Sequence, residues 1–107
     1  MSFTLDSLAE LIKSRRNDHA SKSYTKSLFD AGVSQIAKKF GEESVEAIIA
    51  AIEGDKKALT AETADVLYHL LVLLEARDLT LADVLNELER RTHQSGLTEK
   101  ASRGVSR

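Results

Sequence analysis

Residues 57–76 read as a single helix whose apolar side chains cover nearly its whole circumference. Leu59, Ala61, Ala64, Val66, Leu67, Leu70, Leu71, Val72, Leu73 and Leu74 leave hardly any polar stripe, and a helix of that kind belongs in the centre of a bundle. Glu62, Asp65 and His69 nevertheless fall on one of its faces. An unpaired buried carboxylate costs several kcal/mol and ordinarily takes up a proton instead. A fold that buries this helix must therefore supply something that holds its acids.

The rest of the chain is built to match. It has 107 residues, enough for one domain and too few for two cores. Proline is absent and glycine scarce, while Ala, Leu, Glu and Lys abound; the expectation is an all-α fold of four to five helices. Thr4 is a natural N-cap, with Phe3 and Leu8 placed for a hydrophobic staple, and Leu5, Leu8, Ala9 and Ile12 carry a first helix to about Arg16. A polar loop follows over 17–23, then a short helix over 24–31 stopped by Gly32. A third helix spans 33–53 with an apolar stripe through Val33, Ile36, Ala37, Phe40, Ala47, Ile48, Ala51 and Ile52, and Gly54 ends it. Thr80-Leu81-Ala82-Asp83 opens a fifth helix expected to bury Leu81, Val84, Leu85 and Leu88. Periodicity stops after Gln94. Residues 1–94 are thus expected to form the domain, and 95–107 a mobile basic tail.

Several classes of function drop out. A net charge of -2 gives no general argument for nucleic acid or anionic membrane. The N-terminus has no basic start and no long apolar run, so it does not read as a signal peptide. The most apolar stretch, 66–74, contains a histidine and is far shorter than the roughly 20 residues a membrane span needs. With no cysteine, any metal must be held by oxygen or imidazole. A soluble cytoplasmic protein is the expectation.

Acids come in two pairs. Residues three apart on a helix are surface neighbours, so Glu43 sits beside Glu46, and Glu62 beside Asp65. Glu43 falls at the edge of the third helix's apolar stripe, Glu46 one row outward, and Glu42 further out, where solvation explains it best. An isolated E-x-x-E is usually no more than a solvated face. Two such pairs on adjacent helices, one of them apolar all round, point instead to a divalent cation held between them. Carboxylates suit a hard ion such as Mg2+, with Mn2+ a possible substitute.

These residues carry a resemblance. Glu42-Glu43-Ser44-Val45-Glu46 followed by Glu62-Thr63-Ala64-Asp65 resembles the EExxE…ExxD signature of the all-α NTP pyrophosphatase (MazG-like) superfamily. Ser23-Tyr24-Thr25, Lys38-Lys39, Asp65-Val66-Leu67-Tyr68-His69-Leu70 and Ser95-Gly96-Leu97 make the chain similar, within that superfamily, to the phosphoribosyl-ATP pyrophosphohydrolases of histidine biosynthesis. The resemblance implies hydrolysis of phosphoribosyl-ATP to phosphoribosyl-AMP and pyrophosphate. It implies Glu43, Glu46, Glu62 and Asp65 as metal ligands and a homodimer. A bundle shared by two copies would also solve the problem of burying an all-apolar helix in so small a chain.

A carboxylate not wholly committed to the metal, Glu42 or Glu46, is positioned to accept a proton from attacking water. Lys38 and Lys39, about one turn before the acids, are candidates for phosphate contact, with Tyr24 and Lys26 weaker ones. His69 reads as a hydrogen-bonded core residue and Tyr68 as core. Gly41 costs its helix about 1 kcal/mol relative to alanine, which suggests close approach of a neighbour or a local kink. Two further readings use the same residues: a house-cleaning pyrophosphatase of (deoxy)nucleoside triphosphates, and a non-catalytic helical dimerisation module whose acids are merely solvated.

Overall fold

The computed structural model of the protein describes residues 2–18 and 23–93. Five helices make up these residues: α1 (Leu5–Asn17), α2 (Tyr24–Ala31), α3 (Val33–Glu53), α4 (Lys56–Ala76) and α5 (Leu81–Thr92). The expected tail and residues 19–22 of the expected loop lie outside the described residues.

Local chemistry explains the boundaries. Thr4 caps α1 by accepting from Ser7 N–H at 3.0 Å, while the Ser7 hydroxyl accepts from Thr4 N–H at 2.9 Å. Thr80 and Asp83 form the same reciprocal box at the start of α5. Phe3, however, is exposed, so the staple expected there leaves its ring largely in solvent. Asp55, which the sequence reading passed over, caps α4 through Ala58 N–H at 3.0 Å, and the helix accordingly begins one residue earlier than expected.

α3 and α4 form a tight antiparallel hairpin, joined by Gly54 and Asp55 alone. Gly54 takes φ 76°, the left-handed conformation that glycine adopts without penalty. Its N–H donates to Ala51 O, and Asp55 N–H reaches back to Ala50 O, both at 3.2 Å. The residue that closes α3 is thus followed at once by the residue that opens α4.

The core sits at the open end of this hairpin, far from Gly54. Ile12 of α1, Leu28 of α2, Ile36 near the start of α3, and Leu71 and Val72 near the end of α4 are all buried there. Arg16 fastens this end: its Nη1 donates to the Glu75 carbonyl at 2.6 Å and to the Glu75 carboxylate at 2.9 Å, with Asp78 at 3.3 Å. The same guanidinium lies over the Phe29 ring, 5.4 Å from its centroid.

At the Gly54 end the apolar residues lack cover. Ile48, Ile49 and Ile52 of α3 are exposed, Ile52 to 81%, and so are Thr63, Ala64 and Leu67 of α4. Two expectations are corrected here. α4 buries only His69, Leu71 and Val72, because α1 and α2 cover one end of it and, among the described residues, only α3 packs along the other. α5 buries no residue at all: Leu81 and Val84 are half-buried, while Leu85 and Leu88 stay about half exposed. Amphipathic periodicity shows that a helix has an apolar face, not that its own chain supplies the surface to cover it. Likewise Ile48, Ala51 and Ile52 of the predicted α3 stripe face outward, and Ala50 is the residue buried against α4.

Candidate metal centre

Hairpin geometry assembles the acids. Along the chain, Glu46 and Glu62 are equally far from Gly54, as are Glu43 and Asp65. In a tightly turned antiparallel pair, residues equidistant from the bend come side by side. One carboxylate oxygen each from Glu43, Glu62 and Asp65 lies within 4.8 Å of the others. Glu46 stands near enough for its charge to act on Glu62. Three of the four carboxylates of the two spaced pairs therefore meet across the α3–α4 interface, with Glu46 beside them. This symmetry about Gly54 was present in the sequence as a signal and needed only the hairpin to be recognised.

The environment is graded. Glu43 is the most enclosed, its side chain 13% exposed; Glu62 is half-buried, and Glu46 and Asp65 face solvent. Burial of the Asp65 face, expected from the all-round apolar pattern of α4, is not what a single chain provides. Partial desolvation, then the charges of Glu46, Glu43 and Asp65, push the Glu62 carboxyl above its usual value.

Such a cluster of like charges fits a hard divalent cation. The donors are all oxygen, and oxygens bound on opposite sides of magnesium are about 4.2 Å apart, comparable with the 4.8 Å within which these atoms lie.

The other candidates are placed unequally. Lys39 Nζ is 3.7 Å from Glu42 and 3.8 Å from Glu43, so it stands at the rim of the cluster. Lys38 is exposed. Lys26 Nζ is engaged by Asp30 of its own helix at 2.6 Å, and Tyr24, about half exposed, donates its hydroxyl to His69 Nε2 at 3.2 Å. Glu42 is exposed and turned toward Lys39. Gly41 has open space around it: a Cβ there would meet nothing within 4 Å. The close approach expected at this glycine is absent among the described residues.

His69 is the core histidine that was expected, at 4% exposure, and both of its ring nitrogens are engaged. Its link to Tyr24 joins residues 45 positions apart, a distance over which periodicity carries no information.

An all-α hairpin that gathers carboxylates from two spaced acidic pairs places the protein among helical proteins with an acidic cluster that could hold a metal ion. The sequence profile described as Phosphoribosyl-ATP pyrophosphohydrolase matches residues 5–92. A phosphoribosyl-ATP pyrophosphatase from Cereibacter sphaeroides is 53% identical to the chain, over 94% of this chain and 97% of that protein. Proteins of the same name from Paracoccus denitrificans and Methylobacterium nodulans are each 54% identical, covering 92% and 94% of this chain and the same shares of their own lengths. The chain belongs to the phosphoribosyl-ATP pyrophosphohydrolase family.

Proposed function

We propose that this protein hydrolyses phosphoribosyl-ATP to phosphoribosyl-AMP and pyrophosphate, the second step of histidine biosynthesis, in the cytoplasm. The observation that carries the reading is the meeting of Glu43, Glu62 and Asp65, with Glu46 beside them, in a chain that matches this family over residues 5–92. Mg2+ is the proposed metal, with Mn2+ as a substitute; bound there, it neutralises charge on the phosphates and fixes them for in-line attack.

The chain's own residues do the remainder. Glu43, Glu62 and Asp65 hold the cation, and their converging charges are what binding relieves. Glu46 lies on the solvent side, near enough for its charge to act on Glu62. It is therefore the better placed of the two candidate bases, since Glu42 is drawn toward Lys39. Lys39 at the rim offers an ammonium to a phosphate oxygen.

A second copy of the chain is the proposed cover for the bare apolar face. Ile48, Ile49 and Ile52 of α3, Ala64 and Leu67 lining a groove along α4 with the half-buried Leu59, and Leu85 and Leu88 of α5 leave much of their apolar surface exposed among the described residues. No helix among those residues is long and apolar enough to cross a membrane.

The test is an assay of phosphoribosyl-ATP beside a panel of deoxynucleoside triphosphates, with Mg2+ present. Preference for phosphoribosyl-ATP is expected, and preference for a deoxynucleotide would overturn the substrate assignment. Glu43→Gln and Asp65→Asn are each expected to abolish turnover and weaken Mg2+ binding. Glu46→Gln is expected to lower kcat roughly a hundredfold, as loss of a general base does, and Glu42→Gln far less. Unchanged turnover in the Glu43 and Asp65 variants would take both residues out of the metal site, whereas no turnover in the wild type, with Mg2+ affinity indifferent to either substitution, would leave the dimerisation-module reading.

A further inference from the structure

The start of α2 is tied to α4 one turn beyond Asp65. Tyr24 and His69 meet at 3.2 Å, the hydroxyls of Thr25 and Tyr68 pair, and the Tyr24 and Tyr68 rings stack with centroids 6.2 Å apart. Thr25 and His69 are both buried. Two successive residues of one helix thus grip two successive residues of the other.

Proton positions within this grip follow from the acceptors. His69 Nδ1 lies 2.7 Å from the main-chain oxygen of Asp65. A carbonyl can only accept, so Nδ1 carries a proton, and the Tyr24 hydroxyl partners Nε2. The ring is held in one orientation and bonded at both nitrogens. A buried polar ring needs both bonds to offset its desolvation, and here one of them falls on the main chain of Asp65.

The direction of helical side chains explains what the ring can do. They lean toward the helix N-terminus, so the imidazole of residue 69 lies over the turn bearing Asp65. The Asp65 carbonyl, already the acceptor for the helical N–H four residues on, takes a second donor from it. That turn is then held from outside the helix, by a side chain that α2 in turn holds.

We infer that His69, oriented by Tyr24, is a positioning residue that fixes the turn carrying Asp65 for cation binding. The inference rests on the reading of Asp65 as a metal ligand, and it assigns Tyr24 an anchoring part beyond any contact with substrate.

The experiment uses Mn2+ alone, titrated into the metal-free full chain and followed by electron paramagnetic resonance, with a melting curve for each variant. His69→Asn places an amide N–H where Nδ1 stood and keeps the donor to Asp65. His69→Gln reaches toward Tyr24 and loses that donor. The Asn variant is expected to bind Mn2+ within threefold of wild type, and the Gln variant at least tenfold more weakly at a similar melting temperature. Tyr24→Phe is expected to weaken Mn2+ several-fold and to lower kcat more than it raises KM. Equal Mn2+ affinity in the Asn and Gln variants, or losses that merely track the melting temperature, would overturn the inference. Should both His69 variants melt early, Tyr24→Phe decides: wild-type Mn2+ affinity in that variant overturns it, weakened affinity supports it. An Asp65→Asn control separates the two readings. If that control still binds Mn2+ as wild type does, the metal reading falls and takes this one with it. If it does not, while the His69 pair is indistinguishable, only the positioning role falls.

Discussion

Lys39 reaches both Glu42, at 3.7 Å, and Glu43, at 3.8 Å, so a single ammonium borders the acidic cluster on the α3 side. Lys38, its neighbour in sequence, is exposed. The two lysines should therefore separate cleanly under mutation. Lys39→Met is expected to raise KM for phosphoribosyl-ATP roughly tenfold, the worth of one charge-assisted contact, and Lys38→Met to change it by no more than about twofold. Steady-state kinetics on both variants checks this; equal effects would remove Lys39 from the phosphate site.

Glu62 sets a pH dependence whose sign can be worked out. Its carboxyl is raised in the folded chain, first by partial burial and then by Glu46, Glu43 and Asp65. Between the ordinary carboxylate value and the raised one, the folded state binds more protons than the unfolded state, so stability falls as pH rises through that window. In metal-free protein the melting temperature is expected to drop across it, and Glu62→Gln is expected to remove the drop. Mg2+ affinity should climb over the same range, because binding requires the ionised form. A flat melting profile in the wild type would contradict the account.

Gly41 lies inside α3 with open space where a Cβ would go. Gly41→Ala is expected to stabilise the metal-free protein by about 1 kcal/mol, the helix-propensity difference between the two residues. Chemical denaturation measures it. A destabilised variant would mean that something outside the described residues crowds this position.

Ile52 is 81% exposed in the single chain. Were the chain monomeric, Ile52→Glu would change stability by no more than about 0.5 kcal/mol, as surface substitutions do. At a dimer face it buries a charge. The expected outcome is a halved mass in sedimentation and a lower melting temperature; an unchanged mass would take this face out of the interface.

Much of this architecture is local chemistry and could be read directly from the residues. Thr4, Thr80, Gly32 and Gly54 mark helix ends because caps depend on a few neighbouring atoms. The acidic pairs were legible for the same reason, since spacing on a helix decides which side chains are neighbours. What escaped depends on contacts between distant segments. The exposure of Leu85, Leu88 and Asp65 could not be read from periodicity, which ranks the faces of a helix without saying what lies opposite them. The clasp of Tyr24 on His69, the diversion of Lys26 to Asp30 and the lashing of Arg16 to Glu75 required the helices to be packed first.

The short link at Gly54 and Asp55 works as a ruler. The carboxylates meet only because they stand at matching distances on either side of it, so counting residues matters as much here as choosing them. One residue added between Thr60 and Ala61 would swing Glu62 and Asp65 by about 100° around their helix, while every acid kept its identity. Point substitutions near the bend should therefore be tolerated far better than any change in the length of chain between the two acidic pairs.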